Sequence, residues 1–301
     1  VTATLDAPPA ARRRSSVIVE QPGIYDISND DYHADPVPGG SLSSSTAKIL
    51  LPPSCPAKFR YAQDHPQPPK RTFDFGHAAH GEVLGSGPKL VIVDADDWRK
   101  KAAQAERDEA YADGAVPLLR HEYQQVQAMA AAIRSHPIAS ALLNPENGDP
   151  EQSLFWADRR TGVQCRARFD WLPRPTAGRM IIPDYKTTVS ADLDSIDKNI
   201  NTFGYHRQAA WYREGAITCG IADKDATFVF IFQEKTAPYV VTVAEPDPTA
   251  FGIGRILNRQ AIDTYRQCMK TGIWPGYHDD VYLSSLPRWV ESQFNDEEIF
   301  R

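Results

Sequence analysis

The chain has 301 residues, 42% of them hydrophobic, and a formal charge of −6 from 33 basic and 39 acidic side chains, enough for one large domain at roughly 150 residues per domain. No run approaches the ~18 consecutive apolar residues of a membrane span, and residues 1–16, rich in Ala, Pro and Arg, hold no apolar signal core, so a cytoplasmic protein without membrane association is expected. Cys55, Cys165, Cys219 and Cys268 are scattered, which excludes a Cys-x-x-Cys metal site and a small disulfide scaffold and leaves reduced, mostly buried thiols.

In chain order, residues 1–22 are expected to form a flexible arm, and 23–40 an ordered loop punctuated by Pro, Gly and Asp. Ser43, Ser44 or Ser45 can cap a helix over 46–51 that Pro52-Pro53 stops. A second helix is expected over 73–84, with Phe73, His77, His80 and Leu84 on one face. A short strand over 89–93 precedes long helical stretches over 96–113 and 118–133, so residues 95–143 read as a helical insertion. Turn residues over 144–150 break that pattern. Strands follow over 153–157, 163–172 and 179–185, with connections short enough for an antiparallel meander. The remainder reads as helices over 191–200 and 205–218, strands over 226–233 and 239–243, and a C-terminal helix over 249–270. The order places helices against one mixed sheet, with residues 23–275 as a single domain and 276–301 as an acidic tail.

Asp170 and the tripeptide Asp184-Tyr185-Lys186 stand at neighbouring strand ends. Eleven lysines and 39 acids in this chain would place roughly one Asp/Glu-x-Lys by chance, so the context carries the signal. Carboxylates and a carbonyl, here Asp170, Asp184 and the Tyr185 main chain, are the oxygen donors that Mg2+ or Mn2+ prefers. Period-two alternation puts Lys186 on the same sheet face as Asp184, where it can position or deprotonate a water and stabilise phosphate charge. His80 is a candidate second-metal ligand, with His77 one turn earlier as its competitor. Gln208 and Tyr212, four apart on one helix, share a direction and form a candidate substrate grip. Arg159, Arg160, Arg166, Arg168, Arg174 and Arg179 crowd around the two acids and suggest a phosphate path. The net charge argues against nucleic acid, but residues 276–301 alone supply −4 of it, from six acids and two arginines. Lys58, Arg60 and Arg71 flank the first two helices and are candidates for a 5′-phosphate pocket. Phosphate-cradling loops, the Gly-x-Ser-x-Gly elbow and the His-Glu-x-x-His helix are absent from the sequence.

The ordered set Gly76-x-x-x-His80, Asp170, Asp184-x-Lys186 and Gln208-x-x-x-Tyr212 resembles the PD-(D/E)xK nucleases of the RecB and RecE type. The segments Gly23-Ile24-Tyr25, Asp31-Tyr32-His33, Leu42-Ser43-Ser44-Ser45 and Cys55-Pro56-Ala57-Lys58-Phe59 are similar to the opening of phage and prophage RecE-like exonucleases, and the likeness runs over about residues 20–235. The resemblance implies an α/β restriction-endonuclease-like core, a central mixed β-sheet flanked by helices. It implies a Mg2+-dependent exodeoxyribonuclease that degrades linear double-stranded DNA 5′→3′ from its ends, with two ions per site, and hands the 3′ strand to a RecT-like annealing protein. His80, Asp170, Asp184 and the Tyr185 carbonyl would then bind metal, Lys186 would be the catalytic lysine, and Gln208 and Tyr212 would contact DNA. A closed homo-oligomeric ring around the duplex is also implied, and would reconcile an acidic exterior with DNA. The shorter Asp of Asp-x-Lys departs from the Glu-x-Lys pattern. The alternatives are a RecB-like single-strand or endonucleolytic DNase and a non-catalytic DNA-end-binding scaffold.

Overall fold

The structure, a computed structural model, describes residues 15–65, 74–175 and 178–294. Strand β1 (Gly23–Tyr25) and helix α1 (Asn29–His33) open the fold, the helix capped by Ser28, whose side chain accepts from the Asp31 N–H. Residues 15–22, expected to belong to a flexible arm, are held down. The Ser15 and Ser16 hydroxyls and the Ser16 N–H donate to Asp31 Oδ1, the Val19 N–H donates to Pro36 O, and the Val19 side chain is buried beside Tyr32 and Phe155. An apolar side chain with a core to enter outweighs the polar composition around it.

Strand β2 (Leu42–Ser43) leads into α2 (Ser44–Ala47), where Ser43 and Thr46 form a capping box, and a 3-10 turn follows over Lys48–Leu50. Helices α3 (Pro56–Asp64) and α4 (Asp74–Leu84) come next, then β3 (Leu90–Val93), α5 (Lys101–Ala112), β4 (Val116–Leu119), α6 (Arg120–Ser135) and α7 (Pro137–Leu142). The helix expected from position 118 thus begins as a strand. All four β4 side chains are buried and the strand pairs in parallel with β3. A short apolar run has no periodicity to separate strand from helix, and the partner strand decides.

Strands β5 (Gly148–Ala157), β6 (Gln164–Pro173) and β7 (Ile181–Thr188), helices α8 (Leu193–Thr202) and α9 (Tyr205–Thr218), strands β8 (Thr227–Glu234) and β9 (Val241–Ala244), and helices α10 (Pro248–Thr271) and α11 (Arg288–Glu291) complete the chain. β1, β5 and β6 are antiparallel neighbours, and β2 lies parallel to the first residues of β6, at Cys165 and Arg166. β7 and β8 run parallel, with β9 antiparallel beyond them. β7 reaches β6 near its far end, where the Tyr185 N–H donates to Asp170 Oδ2 at 2.8 Å, so a mixed central layer runs from β1 to β9.

Helices cover both faces of that layer. Ile182, Phe228, Phe230 and Phe232 pack with Ala209 and Trp211 of α9 and Ile262 of α10. Tyr185 and Ile231, at the alternate positions, pack with Leu84 of α4, Ile133 of α6 and Leu143. Asp184 and Lys186 pair in register with Phe230 and Phe232, and the same alternation turns them toward α9. No described helix is long and apolar enough to cross a membrane.

Candidate active site

Three elements carry the acids. Asp170 is in β6, Asp184 in β7, and opposite Asp170 on β5 stands Glu151, which the sequence reading passed over. The β5/β6 register places residues 150 and 152 across from 171 and 169 and is interrupted between them. Glu151 there has a φ of +56°, a left-handed conformation that costs a non-glycine residue energy and recurs at functional sites. The alternation of β6 slips at the same place, since Cys165, Ala167, Phe169 and then Leu172 all belong to one core while Trp171 belongs to the other. This interruption brings Asp170 and Glu151 to a common neighbour. His80 of α4 lies 3.1 Å by Nε2 from Asp170 Oδ2 and 3.2 Å by Nδ1 from Glu151 Oε1. Its competitor His77 lines the cleft one turn earlier.

Asp184 is fully buried. Gln208 of α9 donates from Nε2 to Asp184 Oδ2 at 2.6 Å, and the Lys186 ammonium touches Asp184 Oδ1 and lies 3.9 Å from Asp170 Oδ2. Oδ1 receives no well-directed hydrogen bond. Lys186 Nζ also sits 5.6 Å from the centre of the Tyr205 ring, a cation–π contact. Because the Tyr185 N–H points at Asp170, and N–H and C=O of one strand residue face the same edge, the Tyr185 carbonyl also faces β6. The Tyr185 side chain points the other way, its hydroxyl hydrogen-bonded to Gln233 Oε1.

Burial alone would raise Asp170, but His80, Lys186 and the Tyr185 N–H prevail and hold it below the usual carboxylate range. Asp184 goes the other way: burial and then the Asp170 charge push it up against the pull of Lys186. Burial opposes the charged forms of His80 and Lys186, yet the neighbouring carboxylates raise both, His80 to about 10. The carboxylates around them thus favour the charged forms of both side chains.

The cluster forms a wall between two cavities. A cleft of about 920 Å³ is lined by His77, His80, Glu151, Arg168, Lys186 and Tyr205. A second cavity of about 430 Å³ is lined by Asp170, Gln208 and Tyr212, and shares His33, Arg168 and Tyr205 with the first. Tyr212 packs edge-on against Phe169 and Phe228, so only part of its ring reaches that cavity.

Other expected contacts are not brought here. Lys58 lies 5.0 Å above the Tyr277 ring, and Arg60 pairs with Asp64 and lies over Trp274. Neither lines either cavity, because α3 packs toward residues 274–277 instead; Arg71 is outside the described residues. The arginine path is mostly spent on the protein itself. Arg166 pairs with Asp35, Arg160 with Asp263, Arg174 with Asp149 and Arg179 with Glu245, and Arg159 donates to Thr218 O. Only Arg168 of the six lines the cleft, itself bound to Glu151.

The sequence model of the family described as "PDDEXK-like domain of unknown function (DUF3799)" matches residues 43–283. The chain belongs to this family. No curated protein matches it. Among solved structures it is similar to a protein from Eubacterium rectale described as an exonuclease by inference, at 12% identity and a TM-score of 0.53 over 84% of this chain and 92% of that one. The alkaline exonuclease of Laribacter hongkongensis (LHK-Exo) aligns at 12% identity over 65% of this chain and 91% of that one, with a TM-score of 0.25. At such identities the first likeness shows the fold. The central mixed sheet flanked by helices is that of a PDDEXK-like domain, and the resemblance to RecE-like PD-(D/E)xK proteins accords with it.

PDDEXK nucleases generally use divalent metal ions. Among the described residues no three His, Cys, Asp or Glu side chains converge as a ready-made ligand set, because Lys186 lies between Asp184 and Asp170 and His80 between Asp170 and Glu151. The donors nevertheless fit a hard cation. Buried carboxylate oxygens, one of them without a directed donor, an edge-facing carbonyl and one imidazole are the ligand types that such ions take. Asp170, Asp184 and the Tyr185 carbonyl would hold it, with His80 after loss of its proton.

Proposed function

We propose that the chain is a Mg2+- or Mn2+-dependent exodeoxyribonuclease, acting in the cytoplasm on ends of linear double-stranded DNA in the 5′→3′ direction and leaving 3′ strands for recombination. The observation that carries this reading is the meeting of Asp170, Asp184, Lys186 and His80, of which His80 and Lys186 line the larger cleft and Asp170 the second cavity. A bound divalent ion supplies a polarised phosphoryl oxygen and a water of lowered pKa. The chain's own groups do the rest. Gln208 fixes the Asp184 carboxylate, and Glu151 and Asp170 fix the ring of His80. Lys186, whose charged form Asp184 and Asp170 favour, lines the cleft as a stabiliser of negative charge on the phosphate. Two ions per site, a RecT-like partner and a homo-oligomeric ring belong to the same reading through the family resemblance.

Linear duplex labelled separately at each 5′ and 3′ end, incubated with Mg2+ or with EDTA beside a circular control, tests it. Metal-dependent early release of the 5′ label with the circle intact is expected. Cleavage of the circle would point to an endonuclease, and inertness with every metal to an end-binding scaffold.

A further inference from the structure

Two apolar surfaces of the chain have no partner within it. The first is the segment that follows α10. From Pro275 to Phe294 every residue except Val290 is exposed, and the exposed side chains include Val281, Tyr282, Leu283, Leu286, Trp289 and Phe294, with Val281 at 98% and Leu283 at 89%. Single exposed apolar residues are ordinary, whereas a run of them marks a surface that binds something. Among the described residues the segment is tied to the rest of the chain only at its start, where the Ala57 N–H donates to Pro275 O and the Tyr277 hydroxyl to Pro53 O.

The second surface is a groove of about 670 Å³ between α9, α10 and the β5–β6 turn, a volume within the ~300–1,000 Å³ of cavities that hold ligands. It shares no lining residue with the two cavities at the buried acids. Trp156, Ala210, Trp211, Ile256 and Ile262 give it an apolar lining, and Ile256 is 60% exposed. Its charged lining is Arg159, Arg160, Arg255 and Arg259 against Asp158 and Glu214. Asp158 is taken by Arg259, and Arg160 pairs with Asp263. Arg159 reaches a carbonyl, Thr218 O, and the exposed Arg255 has no carboxylate partner among the described residues.

Residues 276–294 carry Asp279, Asp280 and Glu291 against Arg288, so an acidic apolar segment matches a basic apolar groove. We propose that this groove seats residues 278–294 of a second copy of the chain. The segment of the same chain starts beyond Gly272, at the far end of α10 from groove residues 252–262, and is pinned there to Pro53 and Ala57. A second copy covers both surfaces at once. Segment and groove are different patches, so each copy gives one and takes one, and the copies join as a reciprocal pair, a ring or a filament. The inference rests on the reading above for closure into a ring alone; the contact itself does not depend on nuclease activity.

Sedimentation of the full chain over a concentration series, beside two variants at exposed positions, tests this. The wild type is expected to rise with concentration to at least twice the mass of one chain. Ile256→Glu in the groove and Leu286→Asp in the segment are each expected to stay at the mass of one chain, with the melting curve and circular dichroism of folded protein. In an equal mixture the intact groove of one variant takes the intact segment of the other, so pairs and nothing larger are expected, a result that contact between like patches does not give. A fluorescent peptide of residues 278–294 is expected to bind Leu286→Asp, and to bind Ile256→Glu about tenfold or more weakly because it meets an added carboxylate. A wild type that stays at the mass of one chain throughout overturns the proposal even where the peptide binds, since the segment then serves its own groove. A mixture that fails to pair overturns it as well. Assembly through this contact without DNA cleavage keeps the interface and removes the nuclease reading, and cleavage by a chain that never assembles does the reverse.

Discussion

Gln208 reaches from α9 to donate its Nε2 hydrogen to Asp184 Oδ2 at 2.6 Å, so the residue expected to touch DNA also orients a carboxylate. Asp184 is fully buried and already pushed upward in pKa by burial and by Asp170. Loss of a neutral donor moves it further in that direction. Gln208→Leu is expected to lower both Mn2+ affinity and cleavage rate by about 10–100-fold, the usual cost of losing a group that orients a metal ligand. Calorimetric titration of Mn2+ beside initial rates checks this; a loss of DNA affinity with metal affinity intact would restore the direct-contact role.

Glu151 holds His80 through Nδ1 and Arg168 through Oε2. Glu151→Gln keeps the shape but removes the negative charge that fixes the His80 ring, and the loss of ring orientation outweighs the easier removal of the His80 proton. A drop of about tenfold or more in Mn2+ affinity is expected, with the circular dichroism spectrum unchanged. Equal affinity in the two proteins would make Glu151 a structural partner of Arg168 alone.

Much of this site was visible in the chain because its residues sit at positions where local rules act. Asp184 and Lys186 share a face by strand alternation, His80 falls one turn from His77, and Gln208 lies on a helix with the bounds expected, Tyr205–Thr218. Glu151 was not visible. It matters because of which residue lies across the ladder and because of its own φ, and neither is written in neighbouring residues. The arginines around Asp170 failed for the converse reason: their partners, Asp35 and Asp263 among them, are remote in sequence, and a cluster of like charges along the chain says nothing of the acids folding brings to it. Strand β4 was missed because its partner β3, not its own pattern, makes it a strand.

Arg166 and Asp35 form an ion pair of 2.6 Å with both side chains nearly inaccessible, and Asp35 also accepts from the Ser41 N–H and hydroxyl. Removing one partner leaves the other charge buried, which costs about 3–5 kcal/mol. Asp35→Ala should therefore melt much lower than wild type in urea or heat, and adding Arg166→Met should recover part of the loss. A single variant as stable as wild type would show that Arg166 finds water or another partner.

Asp158 is held by two nitrogens of Arg259 and by Thr161. Burial would raise its carboxyl, but these partners prevail and depress it. A depressed folded value stabilises the fold above the unfolded value of about 3.9 and loses that contribution as pH falls through the folded one. The Tm gap between wild type and Arg259→Met should be constant near neutrality and narrow below about pH 4. A gap that widens on acidification would contradict the sign.

Lys186 is the residue whose loss separates chemistry from structure. Its side chain is one-fifth exposed and lines the cleft, while its ammonium contacts Asp184 and approaches Asp170, so it supplies positive charge both to the buried acids and to whatever enters the cleft. Lys186→Met keeps the length of the side chain and removes the charge. Asp184, already raised, then takes up a proton more readily, which avoids two unopposed buried carboxylates and lets the fold survive. Cleavage should fall by at least about 10²–10³-fold, the scale of losing one pre-positioned charge stabiliser, with Tm within a few degrees of wild type. Lys186→Arg should not rescue it, because a planar guanidinium has neither the point charge nor the size that fits between Asp184 and the Tyr205 ring. End-labelled DNA release, measured beside melting curves of both variants, decides the matter: activity retained in pure Lys186→Met removes this lysine from the mechanism, whereas inactive, folded variants leave charge stabilisation at the phosphate as its role.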